Sequence, residues 1–182
     1  MLNDRLVPGG TPQFRSPAYF SFRFMPEGGG RNQEKELMAG QEEDIYALGI
    51  SLYLWYYGTL PHPDPANLDL VSTWDIVDVL RKELGLDEPL DGPQPVEATD
   101  GPVNKQLTTS DSLLLVAIRA KIVDIQEECH MVDSAGCENV FDQLIKIMVL
   151  LLTKKYPLNI SIPIIRQAIA KFNKPGQDHP LM

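Results

Sequence analysis

Only two cysteines, Cys129 and Cys137, occur among 182 residues, and they form no CxxC pair. That excludes a disulfide framework. It also leaves the stretch CHMVDSAGC short of the four closely spaced ligands of a structural zinc site, so both thiols and His130 read as free groups at a helix end. Cations are scarce as well: 16 Lys and Arg stand against 25 Asp and Glu, a formal net charge of −9. Binding nucleic-acid phosphates needs clustered Lys and Arg, so a protein or basic peptide is the easier partner. Long apolar runs are missing too. Even the longest, such as Ile147 to Leu152, fall far short of the ~20 residues that span a bilayer, and MLNDRLVPGG lacks the apolar run of a signal peptide. These absences describe an intracellular chain, cytoplasmic or nuclear, with no membrane, nucleic-acid or metal partner. Its 43% hydrophobic content is enough to fill one sizeable core.

The chain reads as mainly α-helical. Residues 1–43 are rich in Gly, Pro, Arg and aromatics without a sustained period, which predicts loop with at most a short helical turn and a flexible point at Gly28 to Gly30. Residues 44–175 form a helical body. Glu42, Glu43 and Asp44 are placed to open its first helix, since carboxylates suit a positive helix N-terminus. From Ile45 to Tyr57 apolar residues surround that helix instead of forming one stripe, which predicts burial on all sides, Leu48 and Leu52 included. Asn67 is a cap for a helix carrying Val71, Trp74, Val77, Leu80 and Leu84 and stopping at Gly85. Residues 86–110, with Pro89, Pro93, Pro95 and Pro102, read as an exposed, mobile insertion. Two more helices follow, Leu113 to Ile125 behind Ser110, Asp111 and Ser112, and Val140 to Thr153 behind Asn139. Pro163 suits the first turn of a last helix, and residues 176–182 form a tail. His62 in PHPDP and His179 in the tail have no nucleophile at motif spacing.

Two strings in order carry more. GTPQFRSPA begins at Gly10, and DIYALGISLYLWYYGTLPHP begins at Asp44. Together they resemble the large lobe of a eukaryotic protein kinase of the Ser/Thr type, whose activation segment ends in GT-x-x-[YF]-x-[AS]-PE and whose central helix opens D-[IVL]-[WY]-x-LG. Near the C-terminus, LIKIMVLLLTKKYPLNISIPIIRQAI resembles the family's closing helix, DPxxR turn and last helix, with Pro157 in place, Tyr156 for the aspartate and Ile160 for the arginine. The resemblance implies a substrate-loop-like segment at Thr11, Pro12 and Phe14, structural anchors at Asp44 and Trp55, and a docking helix around Trp74. Leu54 stands where arginine-directed kinases carry glutamate. The family's buried glutamate–arginine pair maps to Ala18 and Ile160, so both charges are missing together.

Catalysis is what the resemblance does not extend to. No glycine-rich phosphate loop, HRD or DFG occurs, and a kinase holds MgATP through those parts. Catalytic, cofactor and metal residues are therefore expected to be none. The expected function is a pseudokinase-like binding or regulatory module. The alternatives are the C-terminal part of a Ser/Thr kinase whose catalytic half lies upstream, and an unrelated helical interaction protein.

Overall fold

The computed structural model describes residues 11–23, 33–86, 107–128 and 134–170. The expected insertion lies mostly outside these residues, as do Gly28 to Gly30, Cys129, His130, His179 and the tail; of Cys137 only the helical backbone is described. The described residues are mainly α-helical, with no strand among them. A 3-10 turn, Pro12–Phe14, precedes α1 (Pro17–Arg23), α2 (Gln33–Tyr57), α3 (Leu68–Thr73), α4 (Ile76–Glu83), α5 (Thr109–Glu128), α6 (Ser134–Thr153) and α7 (Leu158–Ala170). None of these helices is long and apolar enough to cross a membrane. The chain forms two compact units, Met1–Val79 with Val149–Lys155, and Leu80–Met148 with Tyr156–Met182.

The first unit is organised around α2. This helix begins nine residues before Glu42, so Glu42, Glu43 and Asp44 lie within it and do not open it. Its Tyr46 and Ile50 are buried along with Val71, Ile76 and the α6 residues Val149 to Leu152. Gly49 packs directly against α6. A Cβ built there would stand 2.8 Å from Thr153 Cγ2 and 3.0 Å from Leu152 Cβ. Only a residue without a side chain lets α2 meet α6 this closely, which gives the LG pair a packing reason. Burial on all sides, however, does not hold: Leu48 is 56% and Trp55 is 75% exposed, and Leu52 is half-buried. The all-round apolar pattern describes composition around the axis, and only a surrounding layer of partners converts it into burial.

The helix read from Asn67 to Gly85 is two helices. Asn67 does cap the first, accepting from Asp69 N at 3.1 Å and Leu70 N at 3.4 Å. The Ser72 and Thr73 hydroxyls then return to the carbonyls of Asp69 and Leu70, and Asp75 Oδ1 caps the next start by accepting from Val77 N at 3.0 Å. Local side-chain bonds of this kind compete with helix continuation. Trp74 therefore sits in an extended break, while the apolar residues on either side, Val71 and Val77, remain buried.

In the second unit, α4 ends as expected at Gly85. This residue has φ +69°, and Leu86 N donates to Arg81 O while Gly85 N donates to Lys82 O, the two bonds of a Schellman ending. Helix α5 starts earlier than read, because its cap is Thr108. The Thr108 hydroxyl accepts from Asp111 N at 3.1 Å, and the Asp111 carboxylate accepts from Thr108 N, a reciprocal capping box. Gln126 Nε2 donates to Gln167 O at 2.9 Å and so ties α5 to α7; the Tyr156 hydroxyl donates to Asp111 O at 3.1 Å. Asn139 lies inside α6 and is no cap. Pro163 lies in the second turn of α7, not the first.

Gly49→Ala tests the α2–α6 contact. Overpacking costs about 1–3 kcal/mol, against about 1 kcal/mol of helix propensity gained. The expected outcome is a net loss of stability, read as a lower urea midpoint with an unchanged slope.

Candidate functional site

Thr11, Pro12 and Phe14, read as a substrate-like loop, lie in a segment that is held at both ends. Phe14 N donates to Thr11 O at 3.0 Å and Arg15 N to Pro12 O at 2.9 Å, which closes the turn. Gln13 is fastened twice to the PHPDP loop: its Nε2 donates to Pro65 O at 2.7 Å, and its carbonyl accepts from His62 Nε2 at 2.9 Å. His62 is buried, with its ring edge-on to Trp74 at 5.0 Å between centroids. Donation to a carbonyl requires a proton on Nε2, and Nδ1 is left without a hydrogen-bond partner. His62 is thus a packing and positioning group for the loop.

The other end is a buried ionic clamp. Glu43 accepts from Ser16 N at 2.9 Å and from the Ser16 hydroxyl, and from Lys155 Nζ at 2.6 Å. The side chains are 9% exposed for Glu43 and 14% for Lys155, and Lys155 Nζ also donates to Ser16 Oγ at 2.7 Å. Ser16 at the same time caps α1, its oxygens accepting from Tyr19 N, with Pro17 at the first helical position. Burial pushes the Glu43 carboxyl up, but the bonds from Lys155 and Ser16 outweigh it and hold the group below the usual carboxylate value. Beneath the clamp, Tyr46 is fully buried; burial, then the charges of Asp75 and Glu43, push its phenol far up.

A serine beside a lysine invites comparison with Ser–Lys nucleophiles, but those need a neutral amine and a reachable hydroxyl. Here Lys155 is bound to a carboxylate as an ammonium, and Ser16 is only 2% exposed. The arrangement restrains the backbone and offers no attack trajectory. Lys155 itself has φ +57°, a left-handed conformation costing a residue with a Cβ roughly 1–2 kcal/mol. It closes α6 at the position glycine usually takes, and its ion pair compensates for that strain.

Among the residues expected to matter, Thr11 is exposed and its side chain makes no cap bond, while Pro12 and Phe14 are half-buried in the turn. Trp74 packs on His62 and is not part of a helix. Asp44 and Trp55 lie on the exposed face of α2, so neither anchors the core of the first unit; the neighbouring Glu43 does that instead. Ala18 is exposed on α1, so it does not line a buried apolar replacement of an ion pair. An ion pair is present after all, between Glu43 and Lys155. Sequence reading missed both residues, although Ser16 before Pro17 was a legible helix start. Among the described residues no three His, Cys, Asp or Glu converge as metal ligands. No family model, curated protein or solved structure matches the chain.

Lys155→Met leaves a buried carboxylate unpaired and should cost about 3 kcal/mol, the low end for such a loss because the clamp keeps some solvent contact. Glu43→Gln with Lys155→Met should cost less than the two single changes added, because they share one contact. Urea melts of the four proteins measure this coupling. The folded Glu43 carboxyl titrates below its unfolded value, so its contribution is complete above about pH 5 and is lost as pH falls through the lower folded value. Glu43→Gln should therefore flatten the loss of stability between about pH 5 and pH 3.

Proposed function

We propose that this chain is a kinase-type large lobe without catalytic or ATP-binding parts, working as a binding module for a protein or peptide through the loop at Thr11 to Phe14. One observation carries the reading. The loop is fixed at Gln13 and Ser16 by buried or half-buried bonds, and Thr11 stays exposed with its hydroxyl free of any cap bond. A pre-ordered loop loses little conformational entropy when it binds, which is how a rigid recognition segment gains affinity. The ordered GTPQFRSP and DIYALG strings supply the kinase part of the reading, and the clamp at Ser16 supplies a fastening for the end of an activation-segment-like loop. The formal charge of −9 favours a basic partner segment over a nucleic acid.

A second reading, the C-terminal part of an active Ser/Thr kinase, is favoured by the uncovered face of α2. A central helix of that family is enclosed, and Leu48 and Trp55 here are not. An upstream transcript read with HRD and DFG in frame would select this second reading.

Purified protein should show no magnesium-dependent rise in melting temperature at about 1 mM ATP, because a ligand stabilises only a state that binds it. A rise of several degrees that requires magnesium would remove the binding-module reading.

A further inference from the structure

Of the chain's 15 prolines only Pro12, after Thr11, and Pro17, after Ser16, follow a hydroxyl residue. Both hydroxyls belong to the clamped segment, and the fold treats them oppositely. Thr11 is exposed, with φ −71° and ψ 124°, and its side chain makes no cap bond. Pro12 accounts for that extended backbone, because a proline ring crowds the residue before it out of the helical region. The turn bonds from Phe14 N and Arg15 N end on the carbonyls of Thr11 and Pro12, which leaves the Thr11 hydroxyl outside the turn. Ser16, in contrast, is 2% exposed. Its hydroxyl donates to Glu43 and accepts from Lys155 Nζ at 2.7 Å and from Tyr19 N at 3.3 Å, so its proton and both lone pairs are in use.

We propose that Thr11 is a modification site, the phosphate acceptor for a separate, proline-directed protein kinase. Three requirements of such an enzyme meet there. The hydroxyl is reachable, the acceptor backbone is extended, and the next residue has no N–H that the enzyme's pocket would have to satisfy. Pro12 is half-buried, which leaves part of its ring open to that pocket. In the transfer, Thr11 Oγ1 attacks the γ-phosphorus of ATP. The new O–P bond forms as the bond to the leaving oxygen of ADP breaks, and the hydroxyl proton passes to the modifying enzyme's carboxylate base. Ser16 carries the same dipeptide signal but has no attack trajectory while Glu43 and Lys155 hold it.

The phosphate replaces a neutral hydroxyl with about −1.5 to −2 of charge at pH 7 and three strong acceptor oxygens. It breaks no bond of the turn, since those bonds are made by backbone atoms. On the binding-module reading it would strengthen the hold on Arg or Lys of a basic partner. The modification itself depends only on exposure and backbone shape.

The test uses MgATP and a proline-directed Ser/Thr kinase chosen because it modifies both Thr11 and Ser16 in a synthetic peptide of residues 7–20. On the full chain it should add one phosphate, placed at Thr11 by peptide mapping in a mass spectrometer. Thr11→Val should abolish the addition, and Pro12→Ala should cut its rate while the circular dichroism melt shows the chain still folded. The modified chain should melt within about 2 °C of the unmodified one, the size of an ordinary surface change. Phosphate at Ser16 of the folded chain, or at neither residue, overturns the proposal. So does a larger fall in melting temperature, which would make the hydroxyl part of the fold. Phosphate gained with no kinase added overturns the assignment to a separate enzyme.

Discussion

The first unit depends on a carboxylate taken out of water. Glu43 lies in the third turn of α2, where a charge would ordinarily face solvent, and it is buried against Ser16 and Lys155. Removing a charge from water is tolerated only when the lost hydration is replaced by well-placed donors. The Ser16 amide, the Ser16 hydroxyl and the Lys155 ammonium supply three. Each donor is itself constrained: Ser16 must cap α1, and Lys155 must adopt φ +57° to end α6. The requirement to satisfy one carboxylate thereby fixes where α1 starts, where α6 stops and how both are held to α2.

The same helix presents two chemically different sides. Gly49 brings one of them within van der Waals contact of Thr153 and Leu152, with Tyr46 and Ile50 buried nearby. The other side carries Leu48 and Trp55 in the open. A helix apolar all round has no internal cue for which side to bury, because its apolar residues do not define a direction. Here the absence of a side chain at Gly49 makes the choice, since only that side lets another backbone approach. The opposite side is left exposed at Leu48 and Trp55.

The loop from Thr11 to Ser16 shows how restraint and availability combine. Gln13 and Ser16 are tied down by His62, Pro65 and Glu43, residues 27 to 52 positions away in sequence. Thr11 remains at the surface in an extended conformation. The backbone behind this exposed residue is already ordered by those bonds. His62 and Trp74 come from a proline-rich turn and a helix break, and both act as packing supports for this loop.

Local signals were legible in the sequence because their physics is local. Asn67 caps α3 and Gly85 ends α4, since a capping oxygen and a left-handed residue act within one turn of the chain. The helical class and the helical cores of α5 and α6 follow from periodicity in the same way. The start of α2 at Gln33, the break at Trp74 and the burial of Glu43 were decided by tertiary structure. Glu43 and Lys155 are separated by 112 positions, and nothing in either neighbourhood marks them as partners. Glu42, Glu43 and Asp44 look alike as three adjacent carboxylates, yet only the one that packing turned toward Ser16 became the clamp. Composition could show that α2 has apolar residues on every side; which of them would be buried depended on the neighbours that packing supplied.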